Sequence, residues 1–462
     1  MRDWLRGGVC ALALVVLPLA GAQAQSLRDA MAMAYRDNPT LQAQRALLRS
    51  VDESVPQALS GWRPTVSLQG QEGWLRQQGN SATRTDTRDF RSLTLSVTQN
   101  LYDFGKTSAD VDQAEANVLA ARARLVEAEQ TVLQDVVSAY MNVVRDQAVV
   151  DLNQNNLERL QRQLEATRDR FNVGEVTRTD VAQAESRVAT AQADLIEAQG
   201  NLEVSRAAFE QVVGAEPSRL DQPDLTVPLP ESRQSAIDNA VQSNPTVRAR
   251  QFDKTSAARA IDAETADLLP DVDLEAQAGH SRNVSTADTT RNTVQAAVVV
   301  TVPLYQAGAA TSQIRAAKQT YLRSDNLIAE ARRVATEQAT SAWETFNTAT
   351  ARIRALQASV DAAEIALDGV EQEAAVGSRT VLDVLDAELE LLTARVSLVR
   401  SQRDLEVARF DLLAATGSLT ADKLGLPVEL YDDSAYYSEV RSKWWGLGSD
   451  VTNDSESSPS TP

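Results

Sequence analysis

Residues 101–125 read LYDFGKTSADVDQAEANVLAARARL, and residues 304–328 read LYQAGAATSQIRAAKQTYLRSDNLI. Each passage begins Leu-Tyr-x-x-Gly and opens a run in which apolar residues return every three or four positions, the period of a helix with one buried face. The passages lie 203 positions apart, and that displacement holds downstream: Val173-Gly174 falls on Val376-Gly377, and Gly214 falls on Gly417. Thr177, Asp180 and Val181 likewise fall on Thr380, Asp383 and Val384. Upstream it is 206, with Asn38-Pro39-Thr40 on Asn244-Pro245-Thr246 and Pro64 on Pro270, the difference being a loop three residues longer in the first copy. One structural unit is therefore written twice, so each element is expected twice per chain.

Within a unit the order of elements follows from local chemistry. Asn38 before Pro39 has the form of an N-cap with a first-turn proline, predicting a helix from 39 to about 60 that stops before Pro64; Asn244-Pro245 repeats the signal. Alternation of period two comes next: Val66 and Leu68 against Ser67 and Gln69, then Leu93, Leu95 and Val97 against Thr94, Ser96 and Thr98. The second unit alternates Val272, Leu274, Ala276 and Ala278 with Asp273, Glu275 and Gln277, and then has Val294, Ala296, Val298, Val300 and Val302. These predict four strands, at about 65–75, 90–101, 270–280 and 293–303, each with an apolar and a polar face. His280 is expected to end its strand as a loop residue. Two long helical hairpins, 105–214 and 308–417, complete the units, because no proline or internal glycine interrupts Gly105 to Gly174. Their seam runs Val111, Ala114, Val118, Ala121, Leu125, Ala128, Val132, passes a four-residue stutter, and closes with Leu157, Leu160, Leu164 and Phe171.

The expected boundaries are a signal peptide at 1–24, a first repeat at 25–231, a second at 232–430, and an acidic, partly disordered tail at 431–462. The signal reading rests on Arg2 and Arg6, the apolar run Val9 to Ala20, and Ala22-Gln23-Ala24 as a small-x-small cleavage site. Cys10 would leave with it. In the tail, Trp444 and Trp445 are expected to pack against the helices.

Composition removes several classes of function. A formal charge of −19 argues against nucleic acid, which needs a basic face. One cysteine and one histidine cannot assemble the usual His/Cys metal sites, and general acid/base chemistry draws most often on histidine. Neither a cofactor nor an enzymatic activity is expected. No stretch after the signal approaches the roughly 20 apolar residues of a spanning helix, so any membrane span must be made by strands. Four strands cannot close on themselves, and open edges are not tolerated in lipid, so several chains must share one barrel. Two chains give eight strands and a filled interior; three give twelve and a lumen, which makes a cyclic homotrimer the smallest arrangement with a hole. The fold class is then mainly α with a small β part, in which long antiparallel hairpins form a tunnel wall and four strands per chain complete a 12-stranded transmembrane barrel. Trp62, Trp74, Phe90, Tyr102, Phe104 and Tyr305 lie at strand ends, where a barrel places interfacial aromatics.

On these motifs the chain resembles the TolC family of outer-membrane channel proteins. The match covers nearly all of the sequence after the signal: the Asn-Pro-Thr helix starts, the two Leu-Tyr-x-x-Gly joints, the turn Arg170-Phe171-Asn172-Val173-Gly174, and Val376-Gly377-Ser378-Arg379-Thr380 followed by Val384-Leu385-Asp386. The resemblance implies a trimer in the outer membrane whose periplasmic tunnel meets an adaptor (membrane fusion) protein and an inner-membrane ABC transporter or proton-driven pump, for type I protein secretion, multidrug efflux, or both. It also implies that Gly174 and Gly377 turn the chain at the periplasmic tip, that Asp383 and Asp386 ring the closed entrance, and that Arg379 helps hold it shut with Asp180 as an acidic partner. Where relatives often carry a tyrosine three residues before the second glycine, this chain has Ala374. Residue by residue, a second reading stays open: Thr177-x-x-Asp180 and Thr380-x-x-Asp383 have the form of capping boxes, which need no gate. Asp273 and Glu275, on the polar strand face, are either lumen-facing acids or simply solvated. A periplasmic coiled-coil scaffold without a pore is the alternative to a channel, and the four two-faced strands, which a scaffold does not need, weigh against it.

Overall fold

A computed structural model describes residues 25–78, 85–218, 220–221, 223 and 228–448; the expected signal peptide, with Cys10, and the last residues of the tail lie outside them. The chain runs α1 (Leu27–Asp37), α2 (Pro39–Asp52), α3 (Ser54–Leu59), a 3-10 turn (Ser60–Trp62), β1 (Thr65–Gln78), β2 (Thr85–Tyr102), α4 (Lys106–Asn172) and α5 (Arg178–Val213). It continues α6 (Arg233–Ser243), α7 (Pro245–Ala266), β3 (Asp271–Arg282), β4 (Thr290–Thr301), α8 (Ala309–Ala375), α9 (Val381–Ala415) and α10 (Ala435–Val440).

The two asparagine–proline starts behave as capping chemistry requires. The Asn38 side chain accepts from the N–H groups of Thr40 and Leu41, and Asn244 does the same for Thr246 and Val247. The first copy's helix is broken at Glu53, because Pro56 in the first turn of α3 has no N–H to continue the ladder of α2. The Leu-Tyr-x-x-Gly joints are sharp corners. Two successive residues take left-handed backbone in each copy, Phe104 and Gly105 (φ 53° and 93°) and Ala307 and Gly308 (φ 51° and 82°). In the first copy the Asp103 carboxylate accepts from the N–H groups of Gly105 and Thr107, satisfying donors that the start of α4 leaves unpaired. Gln306 stands at that place in the second copy, and α8 has no side-chain cap.

Both α4 and α8 are 67 residues long, about 100 Å at 1.5 Å per residue. The returns α5 and α9, of 36 and 35 residues, cover about half of that length. Toward the strands, α4 is lined instead by α2 and α7. With partners on more than one side, α4 buries the expected seam from Val111 to Val143 except Ala128, which is half-buried, and also a row of alanines, Ala116, Ala120 and Ala123. Phe171, read as the end of the seam, is exposed instead, because the chain turns there before α5 can cover it. The largest core sits midway, where Tyr140, Phe209 and Phe410 pack with Leu27, Met31 and Leu133, each fully buried large side chain contributing about 1.5–3 kcal/mol.

The sheet is antiparallel in the order β1-β2-β3-β4, with β1 and β4 unpaired on their outer sides within the chain. Its register puts Val66 opposite Val97, Leu68 opposite Leu95, Leu95 opposite Ala278, Leu274 opposite Val298, and Val272 opposite Val300. Cross-strand partners share a face, so one face is mainly apolar in its helix-side half, with Gln99 beside Leu274, and turns polar toward the far end at His280, Asn292, Glu72 and Arg91. The other carries Thr65, Ser67, Ser96, Thr98, Glu275, Gln277 and Gln295. The strands run farther than the alternation indicated: β1 reaches Gln78, and β3 passes His280 to Arg282, so His280 is a strand residue paired with Leu93 rather than a loop residue. Its imidazole Nδ1 lies 2.7 Å from the Asn292 amide oxygen on β4. The turn comes later, where Asn283 and Asp288 adopt left-handed backbone.

Candidate channel entrance at the helical tip

Both hairpins reverse direction through the same device. Gly174 and Gly377 have φ of 85° and 81°, and the residue after each returns an N–H to the helix five positions back, Glu175 to the Arg170 carbonyl (2.9 Å) and Ser378 to the Glu373 carbonyl (3.0 Å). This is a glycine C-cap that satisfies the carbonyls at a helix end. The next helix then starts with a capping box. Thr177 and Thr380 accept from the N–H groups of Asp180 and Asp383, and each aspartate accepts in return from the N–H of its threonine, at 2.8 and 2.9 Å.

The candidate gate residues therefore divide. Asp180 and Asp383 are committed to helix starts. The bonds from the Thr380 N–H and hydroxyl, with the nearby Arg379 guanidinium, hold the Asp383 carboxyl below the usual carboxylate range, so it stays charged. Arg379 donates its Nε–H to Glu373, 2.8 Å away on the preceding arm of its own hairpin, and no ion pair joins it to Asp180 among the described residues of one subunit. Asp386, one turn beyond Asp383, crosses between the hairpins and accepts from Arg187 on α5 at 2.5 Å. Around that bridge α9 packs on the first hairpin through Val381 and Leu385 against Leu157, Leu160 and Ala184. Glu388 is buried in the same seam, and burial pushes its carboxyl above the usual range although Arg159 and Arg162 on α4 pull it down.

Arg187 and Glu373 were not identified from the sequence. Arg187 sits in an ordinary heptad, and its partner is 199 positions away, so no local spacing marks it. Glu373 is visible only once the turn at Gly377 folds back. On the polar sheet face, Asp273 accepts from the Asn100 amide at 3.1 Å and Glu275 lies opposite Thr98. No cluster able to hold a metal ion occurs among the described residues.

Long paired helices ending in two glycine turns, joined at the other end to a sheet with one lipid-compatible face, define a subunit of a membrane channel. No described helix is long and apolar enough to cross a membrane. The chain belongs to the outer membrane efflux protein family, whose model matches residues 31–215 and 236–418, one segment in each repeat. It is similar to the outer membrane efflux protein BepC of Brucella suis, with 34% identity covering 94% of both chains. It is also similar to the outer membrane protein TolC of Escherichia coli, with 25% identity covering 89% of this chain and 87% of that one. Among solved structures, the Campylobacter jejuni CmeC outer membrane channel superposes with a TM-score of 0.77 at 15% identity, covering 90% of this chain and 89% of that chain. The protein is thus an efflux or secretion channel of the outer membrane, with its helices in the periplasm, and not an enzyme.

Proposed function

We propose that three copies of this chain form a passive exit duct, completing a 12-stranded barrel and a helical tunnel that receives cargo from an inner-membrane pump through a periplasmic adaptor. The observation that carries the reading is the sheet. Toward the helices one face is mainly apolar from β1 to β4 and the other polar, and among the described residues both outer edges are open, an arrangement stable in lipid only when further copies close it around a wet lumen. Energy comes from the partner: nothing in the sequence resembles a nucleotide-binding loop. At the tip, Asp383 and Asp386 repeated threefold form a carboxylate ring that attracts cations and resists anions, while Arg379 and Asp180 brace the turns at Gly377 and Gly174. Asp273 and Glu275 set the charge of the barrel lumen.

The test is single-channel conductance of the purified protein in planar bilayers, with the mass of the complex measured in parallel. A trimer with small, cation-selective conductance that loses selectivity in Asp383→Ala/Asp386→Ala supports the duct and its acidic ring. A monomer without conductance removes the duct and leaves a periplasmic scaffold. For cargo, the overall pattern, including the Lys443-Trp444-Trp445 segment, suggests type I protein secretion, while the efflux name carried by the relative at 34% identity favours small molecules. Deleting the gene and scoring both drug susceptibility and secreted protein separates the two.

A further inference from the structure

The segment after the second repeat is held firmly, yet its last described residues include exposed apolar side chains. On α10 the Tyr436 hydroxyl donates to Glu53 (2.7 Å) and Arg441 donates to Glu115 on α4 (2.8 Å), while Val440 is buried. Tyr437 packs beside Val55, Ala114 and Val118. Arg63 then donates to the Lys443 carbonyl (2.7 Å), and its guanidinium stacks on the Trp444 ring, 5.1 Å from the centroid. Against expectation, the tryptophans do not pack into the helix wall. Trp444 lies against the Arg63 guanidinium and is 68% exposed, Trp445 is 91% exposed, and Leu447 is fully exposed. Gly446, with φ of 120°, turns the chain between Trp445 and Leu447.

The position of Arg63 gives the location. It stands two residues before the start of β1, and the first apolar-face residues of that strand, Val66 and Leu68, are exposed. Trp62, Tyr102, Phe104, Leu304 and Tyr305, at the same helix-side end of the strands, are exposed as well. Indole rings favour the zone between acyl chains and headgroups, where a flat apolar body and one N–H donor are both accommodated. We propose that Trp444, Trp445 and Leu447 form a phospholipid-binding anchor that rests in the periplasmic leaflet of the outer membrane and extends the barrel's aromatic rim with the segment that follows α10. α10 is the strap that carries it to that depth. The proposal depends on the membrane location of the sheet and not on which cargo the duct carries.

The experiment uses the full chain reconstituted into phosphatidylethanolamine/phosphatidylglycerol vesicles, comparing wild type with Trp444→Phe/Trp445→Phe, a change that keeps ring packing and folding. The fluorescence lost in the double variant reports these two indoles alone. The proposal expects that component to be quenched about twofold more strongly by lipids brominated near the headgroup than by lipids brominated near the chain ends, and to be shielded from aqueous iodide. Quenching by iodide with no response to bromolipid overturns it and places the segment in water. Shielding from both quenchers, with a complex that dissociates at lower temperature in the variant, also overturns it and makes the segment a clasp on a neighbouring subunit.

Discussion

Arg187 on α5 and Asp386 on α9 meet at 2.5 Å, and theirs is an ion pair near the tip that ties the first hairpin to the second. The contact is half-exposed on the aspartate side, so it contributes at most about 1 kcal/mol to stability. Its importance is positional, since it lies between two hairpins that must separate if the entrance widens. Replacing Arg187 with Ala is expected to leave the melting temperature within a few degrees while raising single-channel conductance several-fold. The swap Arg187→Asp/Asp386→Arg is expected to restore low conductance. Unchanged conductance in Arg187→Ala assigns the pair to the surface alone.

The capping boxes predict a local effect that a gate does not. Asp383→Asn removes the charge that the Thr380 N–H and hydroxyl favour, so the first turn of α9 should lose hydrogen-exchange protection while α5 keeps its own. Because the Asp383 pKa is depressed, its contribution is present above the ordinary carboxylate range and is lost as pH falls through the depressed folded value. Wild type and variant should therefore converge in acid.

Two glycines that the repeat makes equivalent should respond unequally. Gly214 and Gly417 both have positive φ (84° and 69°), but a Cβ at Gly214 meets open space, whereas at Gly417 it collides with the Ser243 carbonyl. Gly214→Ala is expected to cost about 1 kcal/mol from backbone strain alone, and Gly417→Ala at least twice that, as measured by denaturant or thermal unfolding of the assembled protein.

Asp52 is almost fully buried beneath α10, and neither of its carboxylate oxygens has a hydrogen-bond partner. Burial raises its pKa to about 6, although Arg122 opposes the rise and Asp433 and Glu53 add to it. The folded state therefore holds a proton more tightly than the unfolded chain does, so stability falls as pH climbs from about 4 to about 6 and stays lower above. Asp52→Asn is expected to melt at higher temperature than wild type at pH near 7. The advantage should vanish below pH of about 4, where both side chains are neutral.

What was legible in the sequence is what neighbouring residues decide. Asn-Pro caps, glycine stops, the heptads of α4 and the alternation in β1 to β4 are set within a few positions, and they gave the element order and the duplication. Strands run past the expected ends at about 75 and 280 because the sheet's far end no longer alternates: Arg76, Gln77 and Gln78 extend β1 on backbone pairing alone. The tip was only half legible. Thr177 and Thr380 announced their boxes, but whether Asp386 faced a lumen or an arginine depended on how two hairpins settle together, bringing residues 199 positions apart into contact. The docking of α10 was equally hidden, since Tyr436 finds Glu53, between α2 and α3, and Tyr437 and Arg441 find Glu115 on α4, acids that no spacing connects to them.

The open outer sides of β1 and β4 also dictate how the protein comes to be. A lone subunit entering the bilayer would carry two rows of unpaired N–H and C=O groups into hydrocarbon, each group costing several kcal/mol. With the barrel closed by three copies as proposed, membrane entry and subunit association occur as a single event, and the rate of biogenesis is expected to depend steeply on the local supply of chains. A copy whose β1 or β4 cannot pair spoils every complex it joins, so such alleles should be dominant over the wild type in a cell that makes both.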